Sequence, residues 1–190
     1  MTMKNILVPT DFSQHAFTAA IFAAELGRLS GARLVLFHAY HPGILLEEET
    51  IWADPEELEK DVQHKMDALA KKLHSVYGIS ITRLLRPGFA VDEIQFIARK
   101  LNPDLVIMGT EGAGNRLKDA VGKVTTEFLK RSEFPVLCIP PGTSYEAFIQ
   151  LTLLPETKLT LGNTAGLEKI RLLHPVYTSA ATATIPVPKS

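Results

Sequence analysis

The chain is 190 residues long, 46% hydrophobic and 22% charged, with a formal net charge of −1. That length suits one domain and an added segment, and the near-neutral balance excludes a global field drawing it to nucleic acid or an anionic membrane. Cys138 is the single cysteine, which excludes an internal disulfide, and its setting in "PVLCIP" reads as a buried thiol.

The N-terminal "MTMKNILVPTDFS" has too short an apolar stretch for a signal peptide, and no apolar run approaches the length of a membrane span. A cytoplasmic, soluble protein is expected. The first strand is placed at Ile6 to Val8, followed by a helix from Ser13 to Leu29 whose Ala16, Ala20, Ala23 and Gly27 share one face. Small residues on that face let a helix lie close to a sheet, and Ser13 suits its cap. A second strand runs from Leu34 to Phe37. The next stretch, Gly43 to Trp52, reads "GILLEEETIW" and is an insertion. It is expected to be a loop, whose apolar residues suit packing on the following helix ahead of a flap over the crevice or a contact with another chain. That helix is well marked: Asp54 caps it, Pro55 suits its first turn, Glu57 completes a capping box, and Leu58, Val62, Met66, Leu69, Leu73 and Val76 form a stripe. A third strand over Ile79 to Leu85 and a helix with Ile94, Ile97, Ala98 and Leu101 on one face follow, the helix stopping at Asn102-Pro103. A fourth strand at Leu105 to Met108, a last helix opened by Gly122, and a fifth strand at Val136 to Ile139 complete the series.

Most of these apolar runs are continuous, as in strands covered on both faces, and strands alternating with helices predict a parallel α/β sheet. The pattern ends near Pro140-Pro141-Gly142, so residues 1–142 form the domain and residues 143–190 a C-terminal extension. The extension carries no chemical motif. "GNTAGLEKIRLLHP" suits a helix capped by Asn163, while "FIQLTLL" and "HPVYTSAATATIPVP" suit strands or extended tail.

The stretch after the fourth strand, "GTEGAGNRLKDAVGKVTT" from Gly109, is where backbone is expected to meet phosphate. A Walker A loop would need glycine at Leu117 and Ser or Thr at Val124, so it fails twice. The dinucleotide fingerprint begins with Gly112 and Gly114, but its third glycine falls at Leu117 and it follows a late strand. His38 and His41 stand three apart at a strand end with no metal-ligand cluster beside them, which reads as packing. Asp11, Ser13 and His15 have the residue types of a hydrolase triad but sit within five positions, whereas a triad draws on separate elements. No catalytic or metal-ligating set is assigned.

The spacing Gly109, two residues, Gly112, nine residues, Gly122 resembles the phosphate loop of the universal stress protein family. "KNILVPTDFS", "LVLFHAY", "DLVIMGTEG" and "FLKRSEFPVLCIP" resemble that family's opening strand and Asp-bearing turn, its second strand, its fourth strand and the close of its domain, in order over residues 1 to about 142. The resemblance implies an open five-stranded parallel sheet of order 3-2-1-4-5 with helices on both faces, a Rossmann-like fold of the adenine nucleotide alpha hydrolase-like type. It implies ATP, with Mg2+ as its companion, in the crevice between strands one and four, where open α/β sheets bind ligands. Asp11 matches the residue that contacts adenine, with Pro9 and Thr10 shaping its turn; Ala39 offers backbone to the adenine and Met108 lines the pocket. Gly109 and Gly112 let backbone approach the phosphates, Gly122 opens the last helix, and Val124 and Thr125 offer amides, Thr125 a hydroxyl as well. One position departs from the pattern: Lys123 stands where the family has Ser or Thr. Either the lysine neutralises phosphate, or it points to solvent and leaves a weaker site. The resemblance further implies a homodimer through Leu137 and Ile139 on the last strand, whose unpaired edge invites pairing. The expected role is regulatory or stress-responsive, with at most slow hydrolysis. The alternative is a nucleotide-free member acting through contacts with an unknown protein partner.

Overall fold

The computed structural model describes residues 3–41, 43–46, 49–52, 54–110, 122–140, 143, 145 and 183–184. Gly112 and most of the extension lie outside the described residues. In chain order the elements are β1 (Asn5–Pro9), α1 (Gln14–Ser30), β2 (Arg33–Tyr40), β3 (Gly43–Leu46), β4 (Glu49–Trp52), α2 (Pro55–Tyr77), β5 (Ile81–Pro87), α3 (Ala90–Leu101), β6 (Leu105–Gly109), α4 (Lys123–Arg131), β7 (Val136–Ile139) and β8 (Ala183–Thr184).

The main sheet has the order β5-β2-β1-β6-β7-β8 and is parallel throughout. Leaving aside β8, its five strands run third, second, first, fourth, fifth, as expected. The strand side chains divide between two cores. Ile6, Val8, Leu34, Leu36, Ile107 and Ile139 pack with α1 and α2; Leu7, Val35, Phe37, Val106, Met108, Val136 and Cys138 pack with α3 and α4. Alternation along each strand feeds both layers, which is why the strands read as continuous apolar runs. Burial of Cys138 pushes its thiol up to about 12, so it stays protonated at neutral pH and is no nucleophile.

The helix boundaries follow local chemistry. Ser13 Oγ accepts from the Ala16 amide at 3.2 Å, and Asp54 Oδ1 accepts from the Glu56 amide at 2.8 Å and the Glu57 amide at 3.4 Å. Gly31, Gly78 and Asn102 end α1, α2 and α3 in the left-handed region. Ala16, Ala20, Ala23 and Gly27 of α1 are all buried, as the small-residue face predicts.

Three readings are corrected. The insertion at Gly43 to Trp52 is an antiparallel pair, with Gly43 opposite Trp52 and Leu46 opposite Glu49, rather than a loop. Val76 leaves the stripe of α2: it is 66% exposed, and the buried positions are Val62, Met66, Ala70 and Leu73. At about 100° per residue Val76 stands at the same angle as the half-buried Leu58, on the rim of the arc formed by Val62, Met66, Ala70 and Leu73, and in the last turn that rim faces water. Finally, β7 does not offer an unpaired edge along Leu137 and Cys138, because Ala183 and Thr184 of β8 pair with them.

Candidate functional site

The site begins where two neighbouring strands part. β1 pairs with β6 only at Ile6–Leu105 and Leu7–Val106. Beyond that point β1 stays with β2 through Pro9–Phe37, and β6 stays with β7 through Gly109–Ile139. The carboxyl ends of β1 and β6 therefore diverge. Their following helices pack on opposite faces, α1 with one core and α4 with the other. This is the switch point of an open α/β sheet, a place built to admit a ligand.

On one side of the opening lies the turn Thr10–Phe12. The Thr10 amide donates to the Phe37 carbonyl at 2.8 Å, and the His38 Nδ1–H donates to the Thr10 carbonyl at 2.7 Å. The carbonyl can only accept, so the proton sits on Nδ1. The Phe12 amide donates to Thr10 Oγ1 and the Ser13 amide to Asp11 Oδ1, each at 3.0 Å. Asp11 is exposed, whereas Pro9 and Thr10 are buried. β2 runs three residues past the end of its pairing with β1, so His38, Ala39 and Tyr40 overhang the turn and Ala39 stays half-buried there. Burial lowers the pKa of His38; the bond to Thr10 and the charge of Asp11 oppose that, and Lys65 adds to it.

On the other side lie Met108, Gly109 and the start of α4. Gly122 is the N-cap of α4, and its amide donates to the Thr110 carbonyl, which ties the two ends of the glycine loop together. The first amides of a helix have no partner inside it and its dipole favours an anion, so this helix start suits a phosphate. Lys123 and Val124 are exposed there, while Met108 and Thr125 are buried.

Two contacts assign structural work to residues expected at the ligand. A Cβ on Gly109 would stand 3.0 Å from the His15 carbonyl oxygen and 3.1 Å from its carbon. The glycine thus lets the end of β6 meet the first turn of α1. The Thr125 hydroxyl donates to the Gly109 carbonyl at 2.8 Å, so its proton is already committed. The first contact brings the two sides together, since α1 starts from the Asp11 turn, and the second ties the end of β6 to α4 on the same side.

Of the residues expected at the ligand, Pro9, Thr10, Asp11 and Ala39 stand at or just past the ends of β1 and β2, and Met108, Gly109, Gly122, Lys123, Val124 and Thr125 at the end of β6 and the start of α4; Gly112 lies outside the described residues. Sequence reasoning missed Phe12. Its φ of 63° is left-handed, and nothing in the type of residue announces that. Among the described residues no group of three or more His, Cys, Asp or Glu is placed to hold a metal, and no helix is long and apolar enough to cross a membrane.

The model of the universal stress protein family matches residues 2–140. Universal stress protein MJ0577 of Methanocaldococcus jannaschii is 28% identical over 153 residues, which cover 72% of this chain and 94% of that protein. The solved structure of hypothetical protein MJ0577 aligns with a TM-score of 0.62 at 26% identity, covering 76% of this chain and all of the other. Two structures share the fold at 20% identity: a universal stress protein in complex with cAMP, TM-score 0.57, and one from Archaeoglobus fulgidus in complex with dAMP, TM-score 0.55. Each covers 73% of this chain, and 97% and 98% of the respective partner in the alignment.

Proposed function

Because the chain belongs to the universal stress protein family, we propose that it binds an adenine nucleotide in the crevice between β1 and β6 and serves as a regulatory or stress-response module. ATP with Mg2+ is the form proposed. The observation that carries this reading is the parting of β1 and β6 after Leu7 and Val106, with an exposed carboxylate at one lip and a helix start at the other. Asp11 would accept from the adenine amino group, Ala39 would meet the base through its backbone, and the Gly122 end of α4 would meet phosphate. The relatives solved with cAMP and dAMP support the adenine part. Hydrolysis would be slow, because no general base or water-positioning group is assigned at the phosphate side.

Lys123 supplies charge where the family offers a hydroxyl. Lysine cannot accept a hydrogen bond, but it can neutralise phosphate as a point charge. On that basis Lys123→Ser weakens ATP binding in the absence of Mg2+ by about tenfold, the scale of one charge-assisted contact. A titration by calorimetry with and without Mg2+ checks this; a variant that binds more tightly shows that the lysine is a poor substitute. The parent reading is tested by denaturing the purified protein and identifying what it releases, and by thermal shift with AMP, ADP and ATP. A chain that releases no nucleotide and is stabilised by none refutes it.

The second reading is a nucleotide-free member that works through protein contacts. The committed Thr125 hydroxyl favours it, since that group is not free to donate to phosphate. The same release and thermal-shift measurements separate the two.

A further inference from the structure

We propose that His38 is a positioning residue for this site: through its hydrogen bond to Thr10 it holds the peptide that carries Asp11. The inference rests on the adenine-nucleotide reading above and adds to it a residue outside the expected binding set.

The Thr10 carbonyl and the Asp11 amide belong to one rigid peptide plane. The His38 Nδ1–H donates to that carbonyl at 2.7 Å, while the Thr10 amide is bound to the Phe37 carbonyl at 2.8 Å. Consecutive residues of β2 thus grip both peptide planes of Thr10. Rotating the second plane would swing the Asp11 side chain away from the crevice. The next residue needs support as well: Phe12 has φ 63°, a conformation unfavourable for a bulky side chain, which persists where surroundings over-determine it. The His38 ring lies against the Phe12 ring, with centroids 4.5 Å apart and planes tilted at 44°. The imidazole therefore braces the turn by its hydrogen bond, with the Phe12 ring packed beside it.

The variants that test this are His38→Asn and His38→Leu. Asparagine places its amide nitrogen where Nδ1 stood and can still donate to Thr10; leucine keeps much of the volume and cannot. AMP affinity is measured by calorimetry, and exchange of the Phe12 and Ser13 amides by NMR on the ligand-free protein. We expect His38→Leu to weaken AMP binding about tenfold and His38→Asn to stay within about threefold of the parent, the span of one intramolecular hydrogen bond. Exchange at Phe12 and Ser13 should rise in His38→Leu only. If leucine unfolds the chain, His38→Gln replaces it, since its amide reaches the Nε2 position instead of Nδ1. Parent-like AMP affinity in the variant without an Nδ1 donor overturns the inference and leaves the nucleotide reading standing. Equal losses in the two variants also overturn it. If the parent binds no adenine nucleotide, the nucleotide reading falls. Amide exchange then decides the brace: faster exchange in leucine alone supports it, and unchanged exchange overturns it.

Discussion

At the scale of single residues, what matters is which atoms already have a partner. Gly109 was expected to make room for phosphate, but its missing Cβ first makes room for the His15 carbonyl. Backbone cannot rotate aside as a side chain can, so Gly109→Ala is expected to lower stability by about 1–3 kcal/mol even without ligand. Chemical denaturation of the ligand-free protein checks this, and an unchanged midpoint rejects it. His38 gives the pH dependence. Burial is the largest influence on it and sets its folded pKa below the unfolded 6.5, against the pull of Thr10 and Asp11 and with the push of Lys65. Between the two values the unfolded chain binds the extra proton, so stability is greatest above pH 6.5 and falls as pH drops through the folded value. Thermal melts from pH 8 to pH 5 should show a steeper decline for the parent than for His38→Asn, and parallel curves would reject the assignment. The place of Asp11 just past the first strand was legible in the sequence, whereas Ala39, read as lying past the second strand, falls inside β2. The left-handed Phe12 was not legible, since phenylalanine carries no signal for that conformation.

At the scale of elements, the legible parts were those written in local chemistry. Ser13, Asp54 and Asn102 mark helix ends by side-chain bonding or by tolerance of left-handed backbone, and each end stands where it was expected. The cap of α2 is a clear case. Asp54 binds two amides of the first turn, and Glu56 and Glu57 add charge favourable to the dipole. Asp54→Ala should cost about 1 kcal/mol, read by urea denaturation, while Asp54→Asn keeps most of the cap. The pair β3 and β4 was not legible. "GILLEEETIW" lacks the Asn-Gly or Asp-Gly turn that announces a hairpin, so its apolar ends read as a loop packing on a helix. Val76 was misplaced for a different reason: it shares the angle of Leu58 at the rim of the stripe, and periodicity does not say how far the core covers that rim in the last turn.

At the scale of the whole molecule, the parallel sheet followed from the alternation of strands and helices, and its order from the family resemblance, but the reach of the extension followed from neither. Strand pairing at long sequence distance leaves no local mark, and β8 lies 44 residues or more beyond β7. Among the described residues the extension meets the domain in two places. Tyr145 meets Phe22 edge-on with centroids 5.1 Å apart, and Ala183 and Thr184 pair with Leu137 and Cys138. A homodimer through the β7 edge and the β8 pairing use the same backbone groups, so they exclude each other along those residues. Truncation can separate these roles. A chain ending after Glu146 keeps Tyr145 on Phe22 but loses β8. It should hold parent-like stability and self-associate more, because an uncovered apolar edge seeks another strand. A chain ending after Gly142 loses the Tyr145 contact as well and should be less stable by about 1 kcal/mol beyond the shorter deletion, the worth of one aromatic pair. Light scattering after gel filtration reads the first expectation and urea denaturation, at a dilution where both chains are monomeric, the second. If the full chain and the chain ending at Glu146 have the same number of subunits at every concentration, β8 does not govern the edge, and any dimer must form elsewhere.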